Sequence, residues 1–217
     1  MSGMIGIISD HSARYTWFQQ SLEGLIRPEG TVTEWRVGSN RGVCREQLAR
    51  ACVDRDCDWL FFVDDDQVFQ PDALCRMLAW EQPVVSALIL QRGAPFLPTI
   101  YKTKQDDRFY PLDLQSVGDN QLVTCAGVGT GGLLIRGDVL RKLDDGRPWF
   151  VYDEKFGEDL YFSNRCNEAG IQMLVDTGCR MGHLIPAVVV ASWFGDRWGV
   201  GIQLADGTAT AIEMQHS

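Results

Sequence analysis

Leu60-Phe61-Phe62-Val63-Asp64-Asp65-Asp66 is the stretch whose reading decides the fold. The four apolar residues read as a buried strand. Three carboxylates follow at its C-terminal end. Like charges packed this closely repel unless something positive sits among them. A divalent cation with oxygen ligands is the usual solution. The C-terminal edge of a strand in an open α/β sheet is also where such folds take ligands. The segment therefore reads as a metal-assisted binding site for phosphates. The alternative is an Asp-rich turn that only ends a strand.

Working outward, strands are expected at Met4–Ser9, Thr31–Val37, Trp59–Val63 and Val84–Leu90. Between them, helical spacing falls at Tyr15–Ile26, at Val43–Cys52 with Val43, Leu48, Ala51 and Cys52 inward, and after Pro71, which suits a first helical position. This β-α alternation predicts a parallel sheet with helices on both faces. The second half differs. Strands are expected at Leu97–Lys102, Gln121–Cys125, Leu133–Arg136 and Gln172–Val175, and helices at Asp138–Leu143 and Glu158–Ala169. Thr103–Gly118 reads as a polar, turn-rich segment, and Ala187–Glu213 as strands joined by Gly-rich turns. The reading is one α/β domain over residues 1–217, with a mostly parallel, helix-flanked sheet and a small C-terminal β element.

The 217 residues suffice for one α/β core, and 45% apolar with 23% charged residues suits a globule. A formal charge of −9 argues against a broad basic surface for duplex nucleic acid. Seven cysteines, odd in number and without a CxxC pair, read as reduced, mostly buried thiols of a cytoplasmic protein. No signal peptide is expected at Met1–Asp10, and no apolar stretch nears the roughly 20 residues that span a bilayer.

Four further constellations stand out. Glu158-Asp159 opens a helix after an aromatic-rich loop; the pair either complements the helix dipole or supplies a general base. His183 follows a strand and turn, where a lone histidine is structural or a ligand. Gly127–Gly132 is neither a P-loop nor a dinucleotide fingerprint; it is a close backbone approach to a ligand or a sharp bend. Arg41 and Arg45, at a turn and helix start, pair with phosphate, pair with the aspartates, or face solvent.

Taken in order, these segments resemble the GT-A type nucleotide-sugar glycosyltransferases, in particular the compact family-two-like kind. The resemblance rests on Ser9-Asp10 after the first strand, Asn40-Arg41-Gly42 with Arg45, Asp64-Asp65-Asp66 as a DxD strand end followed by Pro71-Asp72, Gly129–Arg136, Glu158-Asp159 and Gly182-His183. The segment Thr103–Gly118 has no counterpart in it.

The resemblance implies a GT-A (Rossmann-like) fold. Residues 1–100 would form the nucleotide-sugar-binding half, 101–186 the acceptor side and 187–217 a β tail. It implies Mn²⁺ or Mg²⁺ and a nucleotide-diphosphate sugar, a UDP-sugar by default. Asp66 and His183 would hold the metal, with Asp64. Asp64 and Asp65 would also serve the ribose and the metal's water shell. Ser9, Asp10, Asn40, Arg41, Arg45, Gly131 and Gly132 would complete the donor site. Asp159 would be the base of an inverting transfer, with Glu158 positioning it or the acceptor. The hydroxyl acceptor would be a small molecule, a protein or a hydroxylated nucleic-acid base; for the last, Lys102, Lys104 and Arg108, with Trp193, Phe194, Arg197 and Trp198 in the tail, are the residues to watch, the aromatics alternatively packing the tail. A nucleotidyltransferase and a non-catalytic nucleotide-sugar-binding domain are the competing readings; the first is disfavoured because Ser9–Arg14 has no glycine.

Overall fold

The computed structural model describes residues 2–9, 15–93, 95–185, 187–204 and 209–213. The first half runs β1 (Gly3–Ser9), α1 (Thr16–Gly24), β2 (Thr31–Val37), α2 (Arg41–Asp54), β3 (Trp59–Asp64), β4 (Gln67–Val68), α3 (Ala73–Ala79) and β5 (Val84–Leu88). It continues with β6 (Ile100–Gln105), β7 (Arg108–Pro111), β8 (Leu122–Cys125), β9 (Gly127–Val128), β10 (Gly132–Arg136), α4 (Gly137–Lys142) and α5 (Glu158–Glu168). Last come β11 (Met173–Arg180), β12 (Gly182–Leu184), β13 (Ala187–Trp193), β14 (Trp198–Leu204) and β15 (Ala209–Glu213).

The central sheet has seven strands in the order β2-β1-β3-β10-β5-β11-β8. Strands β2, β1, β3, β5 and β11 run one way, and β10 and β8 run against them. Both faces are covered, which is why β3 is apolar without alternation. Leu60 and Phe62 point to the face carrying Leu48 and Cys52 of α2, Leu140 of α4 and Phe162 of α5. Trp59, Phe61 and Val63 point to the other, against Phe18 and Leu22 of α1 and Leu74 and Met77 of α3. Each such side chain contributes about 1.5–3 kcal/mol by leaving water.

Two smaller sheets frame one end of the central one. Strands β15-β14-β13-β12-β4 form one, and β7-β6-β9 the other. The pairing β12–β4 sets Gly182 opposite Val68 and His183 opposite Gln67. The C-terminal sheet is thereby joined to the loop that follows β3. Among the described residues, no helix is long and apolar enough to cross a membrane.

Several details differ from the sequence reading. Helix α2 begins at Arg41 and buries Cys44, Arg45, Leu48, Ala49 and Cys52, while Val43 is exposed. The buried face is one residue out of phase with hydropathy because Arg45, with its carboxylate partners, belongs to it. Helix α3 starts at Ala73, after the turn at Pro71-Asp72. The segment Thr103–Gly118 is not mainly turns: β6 runs on to Gln105 and β7 returns beside it as a hairpin. In the tail, Trp198 is 1% exposed with Trp193 edge-on to it at 5.1 Å, whereas Phe194 is exposed. None of the seven cysteines is paired, and six are buried.

Candidate active site

The parallel strands β1 and β3 end side by side, with Ile8 opposite Asp64. Helix α2 starts beside them, its Asn40 cap accepting a hydrogen bond from the Val43 N–H at 3.1 Å. One turn later Arg45 reaches under the cleft. It is 2% exposed and donates to Asp64 Oδ1 at 2.9 Å, with Nε 3.5 Å from Glu158 Oε1. A buried guanidinium thus holds the end of β3 and the start of α5 together.

A cleft of about 230 Å³ opens above this pair. Ser9, Arg41, Arg45, Asp64, Asp65, Asp66, Gly131, Glu158, Asp159 and His183 all line it. The Ser9 hydroxyl donates to Asp65. Asn40 stands behind the lining as the helix cap, and Gly132 lies beneath it at the start of β10. Asp10 lies outside the described residues. Glycine is needed at both 131 and 132. A Cβ on Gly131 would overlap the Gln67 amide, and one on Gly132 would stand 2.6 Å from Met181 Sδ. Gln67 is itself buried and accepts the Asp64 N–H through Oε1 at 3.2 Å.

Asp66 faces away from Arg45, toward β12. Its Oδ1 is buried without a hydrogen bond and lies 3.6 Å from His183 Nε2. The other ring nitrogen, Nδ1, sits 2.8 Å from the Leu90 carbonyl. That carbonyl can only accept, so Nδ1 carries the proton and Nε2 is left to bind toward Asp66. Burial works to lower the His183 pKa, but the facing Asp66 carboxylate and the Leu90 carbonyl together hold it above its ordinary value. Burial likewise works to raise Asp66, and the facing His183 ring with the charges of Arg92 and Arg41 holds it low. The two groups favour a shared positive charge, which a divalent cation can supply in place of a proton. Among the described residues, no three His, Cys, Asp or Glu side chains converge on a metal position. The protein offers this donor pair and leaves other coordination positions to water or ligand.

Asp159 lines the same cleft from the first turn of α5. Burial first, and the Glu158 charge second, raise its pKa. The Tyr152 hydroxyl is pushed up to about 12, by burial first and the Glu158 carboxylate second. Tyr101 of β6 is raised by burial and by the Asp159 charge, which places the β6–β7 hairpin beside this wall. Phe109 and Phe156 extend the wall with ring centroids 5.4 Å apart.

The structure adds residues that sequence reading missed. Arg92 Nη1 lies 2.9 Å from Asp66 Oδ2, and Gln67, Thr99 and Thr130 also line the cleft. Arg92 follows β5, so the rule that pointed to the aspartates, polar residues just past a parallel strand, points to it as well.

No family model matches the chain, and no curated protein matches it by sequence. Solved structures do. A197 from STIV superimposes with a TM-score of 0.62 at 18% identity, covering 100% of this chain and 96% of that one. GalNAc-T7, solved with UDP, GalNAc and Mn²⁺, gives a TM-score of 0.59 at 12% identity, over 85% of this chain and 44% of that one. At these identities the likeness speaks to the fold, which is GT-A-like.

Proposed function

We propose that the chain is a metal-dependent glycosyltransferase that moves a sugar from a nucleotide-diphosphate sugar to a hydroxyl acceptor. The observation that carries this is Asp66 Oδ1, buried without a hydrogen bond and facing His183 Nε2 at 3.6 Å, while the other ring nitrogen is engaged by the Leu90 carbonyl. Charge supports it. Five carboxylates line the cleft against three guanidiniums, so a diphosphate would meet net negative charge unless a cation came with it. The likeness to a protein solved with UDP and Mn²⁺ is consistent with that pairing.

On this reading Asp66 and His183 would hold Mn²⁺ or Mg²⁺, whose charge would offset that of a diphosphate leaving group. Asp64, fixed by Arg45, orients the metal's water shell. Asp65 and Ser9, at the end of β1, serve the ribose. Asn40 caps the helix that presents Arg41, and Gly131 lets the backbone approach the donor closely, while Gly132, expected beside it, packs beneath the cleft against Met181. Asp159 accepts the acceptor's hydroxyl proton as the acceptor oxygen bonds to the anomeric carbon and the bond from that carbon to the diphosphate breaks. Its raised pKa makes it a better base than an ordinary aspartate. A base lining the same cleft as the metal pair suits an inverting single displacement. Glu158, held by Arg45, positions Asp159 next to it in the first turn of α5. Residues 1–100 form the donor half and 101–186 the acceptor half. The unpaired cysteines suit a reducing, cytoplasmic setting.

The test is calorimetric titration of UDP and GDP, with and without Mn²⁺, on the wild type and on Asp66→Ala. Metal-dependent binding of a nucleotide, lost in the variant, is expected. Binding that ignores both metal and substitution would overturn the assignment. Release of pyrophosphate from a nucleoside triphosphate would point to nucleotidyl transfer instead.

A further inference from the structure

The cleft's three guanidiniums differ in freedom. Arg45 is 2% exposed and fixed between Asp64 and Glu158. Arg41 is exposed at the start of α2. Arg92 has a side chain 42% exposed and forms an ion pair with Asp66 Oδ2 at 2.9 Å. It therefore occupies one oxygen of the carboxylate whose other oxygen faces His183. A divalent cation arriving at Asp66 would place two like charges on one carboxylate, and the long, half-exposed Arg92 side chain is the one able to turn away.

The strongest new anion at that moment is the donor's diphosphate, brought to the same cation. A guanidinium matches phosphoryl oxygens with two parallel N–H donors. We propose that Arg92 is a leaving-group-binding residue: it holds Asp66 in the free protein and passes to the diphosphate when metal and donor bind. This rests on the donor-site reading above and adds a residue to it. The position fits. Arg92 follows Leu90 by two residues, and the Leu90 carbonyl orients His183, so one short segment serves both the histidine and the diphosphate.

The two bound states pull in opposite directions on removal of Arg92, and that makes the proposal testable without turnover. Mn²⁺ alone, and UDP at saturating Mn²⁺, are titrated by calorimetry into the wild type, Arg92→Ala, Arg92→Lys and Asp66→Ala. Arg92→Ala should bind Mn²⁺ alone several-fold more tightly, because a competing cation is gone. It should bind UDP about tenfold more weakly, the scale of one charge-assisted contact. Arg92→Lys should restore the metal affinity and part of the UDP affinity. Unfolding midpoints should stay near the wild type, since the side chain is half exposed. Unchanged or tighter UDP binding in Arg92→Ala would overturn the proposal and leave Arg92 a rival of the metal. Weaker Mn²⁺ binding would overturn it in favour of a role in shaping Asp66 and His183. No metal-dependent UDP binding by the wild type, or full binding by Asp66→Ala, would overturn the donor-site reading and this proposal with it.

Discussion

Replacing Arg45 by methionine removes the guanidinium between Asp64 and Glu158 and keeps most of the buried volume. Taking away one partner of a buried ion pair costs about 3–5 kcal/mol, because the other charge stays where water cannot reach it. Two features set the figure near the lower end. Asp64 keeps 22% of its side-chain surface exposed. Arg45 itself buries Nε and Nη1 without hydrogen bonds, a penalty that methionine relieves. The expected loss is therefore about 3 kcal/mol, a drop of about 6–12 °C in unfolding midpoint for a chain of this size. Urea and thermal unfolding by circular dichroism in metal-free buffer measure it, with the urea slope unchanged if compactness is unchanged. In the double variant R45M/E158Q the losses should fall short of their sum, because the glutamine no longer leaves a charge stranded. A midpoint equal to or above the wild type would refute the reasoning. It would mean that desolvating the guanidinium costs as much as the two carboxylates return.

Asp159→Asn should abolish transfer while metal-dependent nucleotide binding persists, measured by product formation and calorimetry. The same variant should be more stable than the wild type at neutral pH: burial and Glu158 raise the Asp159 pKa, so its ionisation costs folding stability. That advantage should fade in acid below the ordinary aspartate range, where the wild-type carboxyl is protonated in both states; denaturant midpoints at two pH values read it. Transfer by the wild type should fall as pH is lowered through this raised pKa, giving an acid limb higher in pH than an ordinary aspartate would give. Gly131→Ala should cost about 1–3 kcal/mol by displacing the buried Gln67 amide, and should weaken nucleotide binding by disturbing Asp64; unfolding and titration together check both.

What was legible in the sequence was local. An apolar run ending in carboxylates marked β3, and 3.6-residue spacing marked the helices around it. Most of the named residues do line one cleft, because parallel strands deliver their C-terminal ends to one edge. What was not legible depended on pairing. Nothing in Leu133–Arg136 announces that it slots antiparallel between β3 and β5. The face of α2 was misjudged because a buried arginine looks polar until its carboxylates, on β3 and α5, are known. Arg92 was missed because its meaning lies in a contact with Asp66, on another strand's end. The β6–β7 hairpin is polar on its exposed side, and its alternation was too short to outweigh its turn residues.

The junction between β4 and β12 has a consequence for how the molecule matures. Asp66 accepts the Leu184 N–H at 2.6 Å through its backbone carbonyl, and Gln67 pairs with His183. A chain that has formed β1 to β5 but not yet docked β12 has Asp66 and lacks the imidazole that faces it. Contacts this distant in sequence form late, after the entropy of closing a long loop has been met. Any ligand that bridges Asp66 and His183 therefore recognises only finished molecules. At a hundredfold excess over its dissociation constant it would add about 2.7 kcal/mol to those alone. Ligand-induced protection would thus act as a readout of complete folding, separating mature chains from those whose C-terminal sheet has not closed.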